Sequence, residues 1–339
     1  MLTVDLLAAL VSRLKEARAK GRLEAVLKQI KADPDVSKRS FRASGTIEQL
    51  RDAVQKAGEQ GLISAQDLAS LVDDVEENGG QHIFLFDLNA LGIARVRSQE
   101  FKDSFQRLPA QPTPTLYADL PNAKRTYYIE RPRQIVVKQV YPAEYWEKDE
   151  DRSYADADER VTYIVRKQRR AINLLLLDLA RGQAEVRIDR VRGQMDDGLA
   201  LELFSQFRKD MEEAFDFDSL TTPVPIWQGF TRIVSNRTDT YMSTDGARDA
   251  SVVVSISNRR ENDRGTDVRD HPSYAYATGD YARDTLNVYW LQEGGEKIHT
   301  ILSRVPGTGM GKIYVAAKLE PDQLTNVIER IRQSTLDAP

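Results

Sequence analysis

Asp178, Glu185 and Lys167 are the side chains from which this sequence comes nearest to spelling a catalytic site. Asp178 ends one strand-like run, Glu185 lies on the next, and Lys167 stands on the run before them. Carboxylates at the ends of paired strands can share a magnesium ion, and a neighbouring lysine can stabilise charge on a scissile phosphate. Such a trio would make a metal-dependent nuclease, with Mg2+ as its only cofactor. The order Glu185-Val186-Arg187 puts arginine where lysine would be more persuasive. Register decides the matter, because a slip of one residue turns one carboxylate to the opposite face.

The same stretch supports a reading without a metal or any other cofactor. Residues 160–192 carry Arg166, Lys167, Arg169, Arg170, Arg181, Arg187 and Arg190 against Asp178, Glu185 and Asp189. A basic sheet face of that kind would bind an acidic partner, either nucleic-acid backbone or an acidic protein surface, without catalysis. Non-enzymatic recognition is therefore the expected function. A protein–protein interaction subunit of a larger complex is the second class, and the nuclease is the third.

Other chemistry finds little support. The chain has no cysteine, which removes disulfides, thiol catalysis and cysteine-bound metals. Its three histidines, His82, His271 and His299, stand far from ligand spacing. His271, beside Asp270, is the best single acid–base candidate among them. Residues 306–312, PGTGMGK, resemble a phosphate loop. Pro306 replaces its first glycine, Ile313 replaces its hydroxyl, and a strand follows where a helix belongs, so a hairpin connection is expected.

Those residues need elements to hold them. The chain has 339 residues, 41% hydrophobic and 29% charged, which is a folded composition long enough for two or three units. A formal charge of −4 excludes a globally basic nucleic-acid protein but leaves room for a local basic face. The N-terminal apolar run is broken by Arg13, Lys15 and Arg18, unlike a secretory signal, and no run reaches the ~18 apolar residues of a membrane span. No membrane partner is expected, and the cytoplasm is the expected location.

Apolar spacing predicts four helices within residues 1–79. Leu6, Leu7 and Leu10 mark the first, and Leu23, Leu27 and Ile30 the second. Thr46 and Gln49 form a capping box for the third, and Ser64 caps the fourth. Two helices before a strand invite a winged helix-turn-helix reading. The fourth helix carries Asp67, Asp73, Asp74, Glu76 and Glu77 without a cation, however, and that face would repel phosphate.

Residues 80–216 read as a second unit. A strand at Ile83–Phe86 is expected to pair with Ala94–Val96. After a proline-rich connector over 107–123 come strands at Thr126–Ile129, Ile135–Val140, Val161–Val165, Ala171–Leu179 and Ala184–Val191, and a helix over Asp196–Phe215. Residues 217–335 form a third. Its expected strands are Val224–Val234, Tyr241–Met242, Ser251–Ser257, Tyr274–Ala277, Leu286–Leu291, Ile298–Ser303 and Lys312–Leu319, and Pro321 opens its last helix. Two polar stretches, 236–250 and 258–271, read as long surface excursions. The fold expected is α+β: an N-terminal helical bundle followed by two mostly antiparallel sheets, each closed by a helix. That order is similar to one kinetochore adaptor family that grips a nucleosome, but no motif matches residue by residue and no role is carried over.

Overall fold

The computed structural model describes residues 3–14, 20–32, 42–109, 111–118, 120–149, 151–155, 160–190, 197–248, 253–257, 267–270, 274, 283–292 and 297–336. Two compact units interleave along the chain. One comprises Met1–Asn78, Lys102–Leu174 and Ile188–Asp210; the other comprises Gly79–Phe101, Leu175–Arg187 and Met211–Pro339.

The first unit opens with helices α1 (Val4–Arg13), α2 (Lys20–Ala32), α3 (Ile47–Glu59) and α4 (Ala65–Glu77). The starts of α3 and α4 are those expected. The Thr46 hydroxyl accepts from the Gln49 amide while the Gln49 side chain accepts from the Thr46 amide. Ser64 accepts from the Asp67 amide at 3.1 Å. Leu10, Leu14, Leu23, Leu27, Leu50, Val54, Leu68 and Val72 are all withdrawn from solvent.

The chain then forms β1 (Gly79–Leu88), α5 (Ala90–Arg97) and α6 (Gln99–Asp103). Residues 94–96 are thus helical, not the expected strand. Asn89 accepts from the Gly92 amide at 2.9 Å and caps α5, so residues 89–92 start a helix and do not turn the chain back for pairing.

Strands β2 (Gln106–Arg107), β3 (Arg125–Glu130) and β4 (Ile135–Lys148) follow, then the small β5 (Tyr154–Ala155) and β6 (Arg160–Val161) pair. Next come β7 (Ile164–Asp178), β8 (Gln183–Asp189) and α7 (Asp197–Met211). Two expected runs, Val161–Val165 and Ala171–Leu179, merge here: residues 164–178 are one strand, and its polar stretch 166–170 is no break. Residues Ala171 to Leu177 are buried without alternation, the pattern of a strand covered on both faces.

After α8 (Phe217–Leu220) and β9 (Thr221–Pro223), a 3-10 turn at Ile226–Gly229 leads into α9 (Phe230–Ser235). Residues 224–234, expected as a strand, are therefore mostly helical. Their apolar side chains Ile226, Phe230 and Ile233 recur at helical steps and enter one core cluster. Strands β10 (Thr240–Arg248), β11 (Val253–Ser257), β12 (Arg283–Leu291), β13 (Lys297–Arg304) and β14 (Gly311–Lys318) complete the sheet, and α10 (Pro321–Leu336) ends the chain. Much of the 236–250 stretch is strand β10, not an excursion. Residues 251–252, 258–266, 271 and 275–277 lie outside the described residues.

The expectation of two sheets is overturned. One twelve-stranded sheet runs in the order β11-β10-β12-β13-β14-β1-β8-β7-β4-β3-β2, with β9 beside β1. The path is open, and pairing is antiparallel wherever the register is fixed except between β2 and β3, which are parallel. The physical reason is β1. Its place in the sequence predicts pairing with residues 94–96, but it pairs with β14, placing Gln81 against Val315 and Ile83 against Ile313. On its other side it meets β8, so the β7–β8 hairpin joins what read as two sheets. In the second unit Ile83, Leu286, Val288, Trp290 and Ile313 pack with Leu324, Val327, Ile328 and Ile331 of α10. Among the described residues no helix is long and apolar enough to cross a membrane.

Candidate functional site

The arginines of the central hairpin do not form one open basic face. Arg170 and Arg187 are buried. Arg170 donates to both Glu76 carboxylate oxygens at 3.0 and 3.3 Å and to the Leu116 carbonyl at 2.7 Å. Arg187 meets Glu185 at 2.9 Å. Arg169 lies 3.3 Å from Asp189 and donates to the Arg190 carbonyl. Arg166 pairs with Glu144, Lys167 with Glu147 at 2.6 Å, and Arg181 with Glu329. Arg190 is half-buried and is also engaged.

The nuclease trio is likewise dispersed into other roles. The Asp178 carboxylate accepts from the Ala180 and Arg181 amides, both at 3.0 Å, and so shapes the turn that Gly182 completes with φ +64°. Glu185 holds Arg187, and Lys167 holds Glu147. Among the described residues no group of three or more His, Asp or Glu side chains is placed to hold a metal ion.

His82 tilts against Tyr314 with ring centroids 5.0 Å apart, and His299 stacks on Tyr289 at 4.6 Å. Burial lowers the His299 pKa, so that ring stays neutral near pH 7. His271 lies outside the described residues. Residues 306–310 connect β13 to β14 as a hairpin, with the Val305 amide donating to the Met310 carbonyl at 3.0 Å.

Sequence reasoning missed a charge cluster between α4 and the sheet of the first unit. Residues of one parity on a strand share a face, so Lys138 and Lys148 of β4 lie on the same side as Glu144 and Trp146. Lys138 sits in the middle of the apolar run IVVKQV, and its ammonium lies 2.7 Å from Asp73, 3.0 Å from Glu77 and 3.6 Å from Glu76. Arg131 reaches Glu77 at 2.6 Å, and the Tyr117 hydroxyl donates to Asp73 at 3.4 Å. The acid face of α4, which seemed to disqualify that helix from binding phosphate, is thus answered from within by Lys138, Arg131 and Arg170. On the opposite face Tyr141, Ala143, Tyr145 and Ala171 pack with Leu203 of α7.

Burial works to lower the Lys138 pKa, but Asp73, Glu77 and Glu76 outweigh it and keep the amine charged. An ammonium with three carboxylates around it has no lone pair for nucleophilic or base chemistry. The cluster is a clamp.

Acid should open it in a defined window. Burial works to raise the Glu76 pKa, yet Arg170 and Lys138 hold it down to about 2, from 4.5. Glu77 is lowered in the same way, burial being outweighed by Lys138 and Arg131. Burial raises Asp73 against Lys138, so it subtracts stability once pH exceeds its ordinary 3.8. A carboxylate with a depressed pKa contributes stability that is complete above the unfolded value and lost as pH falls through the folded one. Loss of the near-ultraviolet circular dichroism signal is therefore expected between pH 4.5 and about 2. Glu76→Gln should flatten that dependence; an acid transition parallel to the wild type would contradict the assignment.

Beyond the clamp, β4 and β7 continue as a two-stranded arm. Arg166 and Gln168 both reach Glu144, which places the even-numbered residues of the two strands on one face. That face carries Trp146, 47% exposed, and Ile164, 59% exposed. Tyr163, also exposed, lies just before β7 under the Arg152 guanidinium, 4.7 Å from its ring centre. Single exposed β-branched and aromatic residues are the only signal the sequence offers for such a face. No protein-family model matches this chain, and no curated protein is significantly similar to it.

Proposed function

We propose that this chain is a non-enzymatic protein-recognition module, and that it binds its partner with the outer face of the β4–β7 arm. One observation carries the reading: Trp146 and Ile164 stand exposed on the same face of a strand pair. Aromatic anchors rimmed by charge are the usual composition of a protein interface, and a central tryptophan is the commonest energetic anchor. The charges here are paired by opposite sign, Arg166 with Glu144 on this face and Lys167 with Glu147 on the other, so each is already compensated. Such a rim favours a partner with an apolar strip over one with a polyanionic backbone, whose binding draws on uncompensated cations.

A photo-crosslinking amino acid at position 148, on the same parity of β4 and exposed, tests this in cells that express the chain. A discrete protein adduct is expected at 148, absent from the same probe at Thr325 and lost with Ile164→Glu. No adduct, or adducts of equal yield at both positions, would overturn the reading. A labelled DNA or RNA shift that Trp146→Ala, Ile164→Ser leaves unchanged would return recognition to the arginines.

A further inference from the structure

A pocket on the edge of the first unit meets a demand that the arm does not. Its walls are Leu116, Ala118, Leu120 and Pro121 from the proline-rich connector, and Arg125, Tyr127, Val140 and Arg170 from the sheet. It is shallow, about 420 Å3 with its open mouth. Register explains why the two arginines share it: Arg125 opens β3 directly opposite Val140 of β4, and Arg170 lies on β7, the next strand inward.

The two arginines are not alike. Arg170 is neutralised by Glu76 and tied to the Leu116 carbonyl that forms the wall. Arg125 is exposed, and among the described residues its guanidinium has no ion pair or hydrogen bond. Beside it the lining mixes the polar Thr115 and Asn122 with Leu116, Leu120, Pro121 and Val140, and Leu120 is 44% exposed at the rim although it is a large apolar side chain. A positive charge unmatched among the described residues, beside partly apolar walls, suits one negative charge on an apolar body. A second negative charge would find only Arg170, whose charge Glu76 already offsets, which disfavours a phosphate dianion.

We propose that this pocket binds a small organic monocarboxylate, with the carboxylate on Arg125 and the apolar body against Leu116, Leu120, Pro121 and Val140. An arginine fork matches a carboxylate in geometry as well as charge. The ligand would fix the connector to the edge of β3, independently of the partner bound at the arm.

Methyl-labelled full-length chain titrated with 4-methylpentanoate is the test, read by the methyl signals of Leu116, Leu120 and Val140. Saturable shifts at millimolar concentration are expected, with none from 4-methylpentanamide at the same concentration. Arg125→Gln should weaken binding about tenfold, the effect of losing one charge-assisted contact, with an otherwise superimposable spectrum. The proposal is overturned if the acid gives no saturation, if the amide binds as well, or if Arg125→Gln binds as the wild type does. Saturation by inorganic phosphate but not by the acid would overturn the carboxylate class.

Discussion

Replacing Lys138 with methionine is expected to destabilise the folded chain by about 3–5 kcal/mol, the cost of breaking a buried ion pair from one side. The methylenes are kept, so packing loss is small. What is lost is a cation that touches Asp73, Glu76 and Glu77 together. Glu76 and Glu77 keep Arg170 and Arg131, but Asp73 is left with the Tyr117 hydroxyl alone among the contacts described. Asp73→Asn in the Lys138→Met background should therefore recover part of the loss, because it removes the stranded charge. Urea unfolding measures both. A loss under about 1 kcal/mol, the range of exposed pairs, would show that the cluster is wet and does not clamp α4.

Arg269→Ala is expected to be of similar size, about 3–5 kcal/mol by the same mechanism. Arg269 stands in a stretch dense with charge that reads as solvated surface. Its side chain is instead almost wholly withdrawn from water. It pairs with Asp267 and donates to the carbonyls of Val234, at 2.7 Å, and Thr240, at 2.5 Å. Those contacts tie the end of α9 to the start of β10. Deleting the guanidinium strands two buried carbonyls and a carboxylate that burial tends to neutralise and Arg269 keeps ionised. Arg269→Lys should recover little, since one ammonium cannot span the fork. Thermal unfolding of both variants is the measurement. Wild-type melting of Arg269→Ala would place that side chain in solvent.

Local structure was legible to the degree that its causes are local. Thr46, Ser64 and Gly182 mark a capping box, a cap and a turn from within a few residues, and each occupies that place. The single sheet was not legible, because β1 pairs with β14 across more than two hundred residues and no pattern in either strand names the other. Residues 224–234 misled for a different reason. VPIWQGFTRIV is β-branched and aromatic enough for a strand, and only the packing of Ile226, Phe230 and Ile233 beside α10 resolves it as helical. The arginines of residues 160–192 were visible as charge but not as partners. Glu76, which answers Arg170, lies 94 residues away. The lysine inside IVVKQV was the available clue, since a cation in a buried strand requires carboxylates nearby.

The most direct measurement is the affinity of the partner captured at position 148, followed from about 50 to 300 mM salt for two double variants. Recognition by the apolar face predicts that Trp146→Ala, Ile164→Ser weakens binding by at least about thirtyfold, the loss of ~2 kcal/mol or more that defines a hot spot. Arg166→Ala, Lys167→Ala should change it less than about threefold, the worth of exposed pairs already compensated, with affinity nearly flat in salt. The opposite result would contradict the proposal: an intact affinity in the apolar variant, with binding that falls steeply with salt and is lost with Arg166 and Lys167.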